Sequence, residues 1–125
     1  MIGVGQEFPY FVKNGVDYVN AMCEVAYDDF NGWKVYYFYP KDFTFICPTE
    51  IKGMDMLTPE ATVVGFSGDN EFCKLAWKEN NELIKHIQHT LACDSGLELS
   101  KTLGIYDKLN GVCYRATYIV DPDGI

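Results

Sequence analysis

Cys47 is the residue of this chain best placed to act as a nucleophile, because of what surrounds it. The segment reads Tyr39-Pro-Lys-Asp-Phe-Thr-Phe-Ile-Cys-Pro-Thr-Glu50, with Pro40 and Thr44 before the thiol and Pro48 directly after it. Proline is tolerated in the first turn of a helix, where its missing N–H would have had no partner. Pro48 therefore predicts a helix start with Cys47 at its N-terminus. Unpaired backbone N–H groups and the macrodipole stabilise an anion there. That acidifies the thiol and favours the thiolate, which is the nucleophilic form. The competing reading is a buried, inert cysteine serving as a small hydrophobe.

Acidification alone is a modest effect. A fall in pKa from ~8.5 to ~6 raises the thiolate fraction at neutral pH roughly thirtyfold. Nucleophilicity falls with basicity, with a slope of ~0.4–0.5 in thiol exchange, which removes about tenfold of that gain. A fast reaction also needs an aligned electrophile and stabilised charge on the leaving atom. The Thr44 hydroxyl, three positions before the thiol, can accept from a substrate oxygen or donate to it; its other reading is a plain N-cap. Arg115 lies in an otherwise apolar run, where its charge is costly without a partner, and is the candidate cation near thiolate and leaving group. Its other reading is a structural ion pair with a carboxylate such as Glu50. Pro40 either rigidifies and shields the approach to the thiolate or simply ends a strand. Glu50 suits the helix dipole and is left out of the catalytic set.

Positioning these groups requires alternating elements. Lys34-Val-Tyr-Tyr-Phe-Tyr39 and Thr62-Val-Val-Gly-Phe-Ser67 read as buried strands. Gly53 and Pro59 limit the helix opened by Pro48. Gly68-Asp-Asn-Glu71 offers turn and N-cap residues before a helical stretch from Phe72 to Ile84. Leu91 to Asp94 is a weaker strand, followed by a helix around Leu97 to Leu103. Tyr114-Arg-Ala-Thr-Tyr-Ile-Val120 is a third strong strand, closed by the turn Asp121-Pro-Asp-Gly124. Strands alternating with helices predict an α/β layer sandwich around a central sheet, and no linker or repeat divides residues 1–125, which read as a single domain. With no return strand after the last turn, residues Tyr114 to Val120 are expected to form a sheet edge: either the chain is a truncated form or a partner covers that edge.

Composition narrows the chemistry. A net charge of −8, with ten Lys and Arg spread along 125 residues, argues against a phosphate-binding surface and hence a nucleic-acid partner. No apolar run approaches a membrane span, and the N-terminus lacks the pattern of a signal peptide, so a cytoplasmic location is expected. Five cysteines at wide spacings, without a Cys-x-x-Cys pair, fit neither a disulfide framework nor a zinc site. Cys23, Cys93 and Cys113 read as structural. Cys73 lies in the first turn of a predicted helix. His86 and His89 have His-x-x-His spacing without a third ligand and read as a solvated helix end; Trp77 reads as a core aromatic.

Pro40, Thr44 and Cys47 meet the Pro-x-x-x-Thr-x-x-Cys signature of the peroxiredoxins, and the chain resembles their alkyl hydroperoxide reductase C and thiol-specific antioxidant group. The resemblance extends through Phe43, Phe45, Pro48, Thr49 and Glu50, through Gly65-Phe-Ser67, the helix carrying Trp77, and Arg115 to Gly124. It implies a thioredoxin-like fold with a central mixed sheet. It also implies a thiol-dependent peroxidase in which Cys47, positioned by Thr44, Pro40 and Arg115, reduces hydrogen peroxide or an alkyl hydroperoxide and becomes a sulfenic acid. No metal or organic cofactor is implied. The implied partners are a homodimer or ring of dimers and a reductant such as thioredoxin or a flavoprotein disulfide reductase. The resemblance also makes Cys73 a secondary candidate for a resolving thiol, because related thiol peroxidases place one roughly a turn further on. Two departures stand out: residues Ile51 to Thr62 look several positions shorter than in the family, and its C-terminal part with the usual resolving cysteine is absent. The alternative reading is a non-catalytic interaction or holdase module.

Overall fold

The computed structural model describes residues 3–42 and 47–125, with the side chain of Cys47 outside the described set. Among the described residues a six-stranded mixed sheet runs in the order β2-β1-β5-β4-β3-β8. Its members are β1 (Val12–Val16), β2 (Met22–Ala26), β3 (Lys34–Phe38), β4 (Thr62–Ser67), β5 (Thr90–Cys93) and β8 (Ala116–Val120). Strands β3, β4 and β5 are mutually parallel, whereas β1 joins β5 and β8 joins β3 in antiparallel fashion. A small hairpin of β6 (Tyr106–Asp107) and β7 (Val112–Cys113) stands apart from this sheet. Among the described residues the α-helices are α1 (Cys47–Met54), α2 (Glu71–Asn80) and α3 (Glu98–Leu103).

Side chains alternate along a strand, so the central strands feed two cores. One face carries Tyr36 and Phe38 of β3, Val64 and Phe66 of β4 and Ala92 of β5, packed with Phe8, Phe11 and, from α3, Leu99 and Leu103. The other carries Val35, Tyr37, Val63 and Leu91, packed with Tyr39, Ile51 of α1, Trp77 of α2, and Ile84 and Ile87. Each fully buried aromatic or aliphatic side chain contributes about 1.5–3 kcal/mol relative to exposure, so both faces hold their helices firmly.

The strands expected around Tyr37, Phe66 and Ile119 form, as does the Asp121 turn, whose carboxylate accepts from the amides of Asp123 and Ile125 at 2.9 Å each. Helix α2 begins where its cap predicts, with Asn70 Oδ1 accepting from the Cys73 amide at 2.8 Å. It ends earlier than the expected Ile84, because Asn81 leaves helical space at φ −127° and its side chain accepts from the Leu83 amide. Strand β8 occupies the sheet edge, as the sequence implied, and Ile119 on it is 69% exposed.

Candidate active site

Helix α1 starts at Cys47 and is followed by a short 3₁₀ turn, Asp55–Leu57. Pro48 is buried in its first turn, and Ile51, with no exposed surface, anchors its middle against the tyrosine-rich core. Thr44 lies outside the described residues. Arg115 is brought to this helix: its Nη1 donates to Glu50 Oε2, one turn after Cys47. The pair is partly exposed, with side-chain accessibilities of 40% for Arg115 and 22% for Glu50. The sequence placed Arg115 inside an apolar strand. The strand instead begins at Ala116, and Arg115 precedes it with its guanidinium turned to the helix start rather than desolvated within the sheet.

Entry to the 43–46 segment is fixed by a buried polar cluster. Lys74, wholly buried on α2, extends Nζ to Tyr39 Oη at 3.0 Å, to Ser67 Oγ at 2.5 Å and to Asp42 Oδ1 at 3.3 Å. Tyr39 donates to Asp42 Oδ1 at 2.8 Å, and the Asp42 amide donates to Asp69 Oδ2 at 2.7 Å. A buried ion pair is tolerated when further hydrogen bonds satisfy both partners, and here each ion has several. Burial pushes the Asp42 carboxyl up, and the Lys74 ammonium opposes that shift. The Tyr39 hydroxyl is pushed well above its ordinary value by burial and by Asp42. Pro40 sits between Tyr39 and Asp42 and, with Lys41, Gly68 and Asp69, lines an open groove.

Sequence reasoning missed Asp42 and Lys74. A signal was present: Lys74, Trp77 and Lys78 share one face of α2, and all three are buried. A lysine in register with a core tryptophan points to a buried partner.

Of the other four cysteines, Cys23 is partly buried, and burial, followed by the charge of Asp17, raises its pKa. Burial pushes the thiols of Cys93 and Cys113 up to about 12 each. Cys113 also donates to the Tyr39 carbonyl at 3.1 Å, which is a structural role. Cys73 lies near the mouth of the buried cluster, its sulfur and carboxylate oxygens of Asp42 and Asp69 all within 4.8 Å of one another. Burial, followed by the charges of those carboxylates, raises its pKa and makes it a weak nucleophile. Trp77 is a core aromatic, with its ring 6.0 Å from that of Tyr39. Of the two histidines, His86 is exposed as expected, though in a turn rather than a helix, whereas His89 is buried between Tyr37 and Asp55, outside any helix.

The model of the AhpC/TSA family matches residues 4–125. An alkyl hydroperoxide reductase C of Mycolicibacterium smegmatis is 34% identical over 140 aligned positions, covering 98% of this chain and 71% of the relative. Those 140 positions exceed the 125 residues here, so the relative carries at least fifteen residues within the match that this chain lacks. An alkyl hydroperoxide reductase C of Staphylococcus aureus is 33% identical over 82% of this chain, which spans only 57% of that relative. Among solved structures, the reduced 2-Cys peroxiredoxin of Plasmodium vivax superimposes with a TM-score of 0.89 at 33% identity, over 98% of this chain and 80% of that one. A helix opening at Cys47, an arginine held at its first turn and this agreement in sequence and fold lead to one assignment: the chain belongs to the AhpC/TSA family of peroxiredoxins.

Proposed function

We propose that this chain is a thiol-dependent peroxidase in which the Cys47 thiolate attacks the terminal oxygen of hydrogen peroxide or an alkyl hydroperoxide. A sulfur–oxygen bond forms and the O–O bond breaks. Sulfur is oxidised by two electrons, and the leaving oxygen takes a proton and departs as water or alcohol. Cys47 remains as a sulfenic acid. The observation that carries this reading is the placement of Arg115 at the first turn of the helix that opens with Cys47. Its guanidinium favours both the thiolate and negative charge on the leaving oxygen, while Glu50 fixes its orientation. Thr44 is assigned to align the peroxide, and Pro40 to shape and shield the approach.

The sulfenic acid must then meet a second thiol. Burial raises the pKa of all four other thiols, with the nearby carboxylates adding to it at Cys73 and Asp17 at Cys23, and makes them poor donors, so we assign the second thiol to a partner chain or to the reductant. Thioredoxin or a flavoprotein disulfide reductase would restore the thiol, in a homodimer or ring of dimers within the cytoplasm. The non-catalytic holdase reading is not favoured, because the curated relatives are named alkyl hydroperoxide reductases. Stopped-flow oxidation with dimedone trapping tests the proposal. Rapid formation of a trappable sulfenic acid at Cys47, lost in Cys47→Ser, is expected; oxidation no faster than a free thiol would reject it.

A further inference from the structure

At the C-terminal foot of α1, opposite Cys47, lies a second set of buried polar groups that the peroxidase chemistry does not use. Asp55, the first residue after the helix, accepts at Oδ1 from His89 Nδ1 at 2.7 Å and from the Gln88 amide at 2.8 Å. His89 Nε2 faces the Tyr37 hydroxyl at 2.6 Å, and the His89 residue is 3% exposed. Space for Tyr37 exists because its neighbour on β4 is Gly65; a Cβ there would stand 2.5 Å from the tyrosine Cζ and Oη. The connection from α1 to β4 is tight, with Thr58, Glu60 and Ala61 folding back on Asp55 and Leu57 through backbone hydrogen bonds.

We propose that Asp55, His89 and Tyr37 form a latch that ties the foot of α1 to the sheet, positions Cys47 at the other end of the helix, and opens in acid. This rests on the peroxidase reading of Cys47. An eight-residue helix is a rod of roughly 11 Å, so a shift or tilt at its foot moves its first turn. Misplacement of a reacting group by about 1 Å can cost two orders of magnitude in rate.

The sign of the pH effect follows from donors and acceptors. Neutral imidazole protonated at Nδ1 donates to Asp55 and accepts from Tyr37, satisfying all three groups. A second proton at Nε2 removes that acceptor, so the Tyr37 hydroxyl must turn its hydrogen away, and it places a charge on a ring buried from water. The groups facing His89 are Tyr37 from β3, Asp55 from the turn after α1, and the positive Lys78 from α2. Burial lowers the His89 pKa, with Asp55 opposing and Lys78 adding to the shift. A histidine with a lowered folded pKa binds fewer protons folded than open. The contribution of His89 to the closed latch is therefore fully present above the ordinary histidine value of ~6.5 and declines as pH falls below it.

The test compares two rates at Cys47, oxidation by hydrogen peroxide and alkylation by iodoacetamide. Both scale with the thiolate fraction, so their ratio cancels the titration of Cys47 and reports positioning. Between about pH 7.5 and about pH 5.5 the ratio is expected to fall in the unsubstituted chain, by at most on the order of tenfold, which is all that one histidine can shift the closed-to-open equilibrium over that span. In His89→Phe it is expected to be low and flat, while Asp55→Asn, which keeps the acceptor, stays close to the parent and Asp55→Ala does not. Amide exchange in the unsubstituted chain gives an independent reading. After correction for intrinsic rates, residues 51–57 should lose protection in acid while β4 keeps it. A ratio unchanged by pH in the parent, or loss of protection in step with β4, overturns the latch. Acid opening of residues 51–57 in a chain whose Cys47 peroxide does not oxidise would instead remove the peroxidase reading.

Discussion

Along β3, alternate side chains enter two cores that differ in kind. Tyr36 and Phe38 join Phe8, Phe11 and Phe66 in a nest of edge-on and stacked rings, with centroids 4.9–5.9 Å apart in the pairs made by Tyr36, Phe38 and Phe66. The Tyr36 hydroxyl is buried there without a hydrogen-bond partner among the described residues. Tyr37, and Tyr39 just beyond the strand, enter the other core, and both hydroxyls are engaged: one by His89, the other by Asp42 and Lys74. That second face packs Ile51 of α1, bonds Asp55 at the foot of the helix and holds Asp42 ahead of it. The difference separates two tasks: the aromatic face supplies cohesion, and the face with bonded tyrosines supplies orientation to a helix that must present a thiol.

Thiol reactivity gives the largest expected contrast between the faces. Cys113 belongs to the aromatic core, and its pKa of about 12 leaves almost no thiolate near neutrality. At about pH 7.5 iodoacetamide should therefore label Cys47 at least a thousandfold faster than Cys113. Comparable labelling, read by peptide mass spectrometry, would erase the contrast. Next in size, Phe11→Ala and Lys74→Met should each lower the unfolding free energy in urea by about 3–5 kcal/mol, the first through a cavity and the second by leaving Asp42 buried and unpaired. Only Lys74→Met should also slow oxidation of Cys47 in the folded fraction, and adding Asp42→Asn should recover part of the stability. If Phe11→Ala slowed oxidation equally, the division of labour would fail. Smallest is a pair of hydroxyl deletions. Tyr39→Phe should cost about 1–3 kcal/mol, whereas Tyr36→Phe should be neutral or stabilising, because it removes a polar atom that has no partner. Equal losses in the two would show that the faces are alike.

The sequence made legible what rests on local pattern. β4 is an uninterrupted apolar run, α2 starts at a side-chain cap, and the Pro48 start of α1 follows from proline geometry. What escaped depends on long-range approach. Strands β1 and β2 are not among the expected elements, and within β1 a Cβ at Gly15 would stand 2.7 Å from the Leu91 carbonyl of β5. Asp42, Lys74, Asp55 and His89 are polar residues whose meaning comes from partners 32 and 34 positions away, a separation that no periodicity reports. Arg115 was found from its cost in an apolar run, although the structure relieves that cost by ending the strand at Ala116.

The pairing of β8 with β3 sets an order of events in time. Lys34 is matched with Val120, so the strand that follows Arg115 joins the sheet across most of the chain's length. Contacts between such distant segments form late, since the closure entropy precedes any reward. Helix α1 and its thiol can thus be in place on the growing sheet before Arg115 arrives. On the proposed reading, a partly folded or partly synthesised chain would carry Cys47 without the cation assigned to activate it, and its thiol would be spared oxidation until β8 has docked.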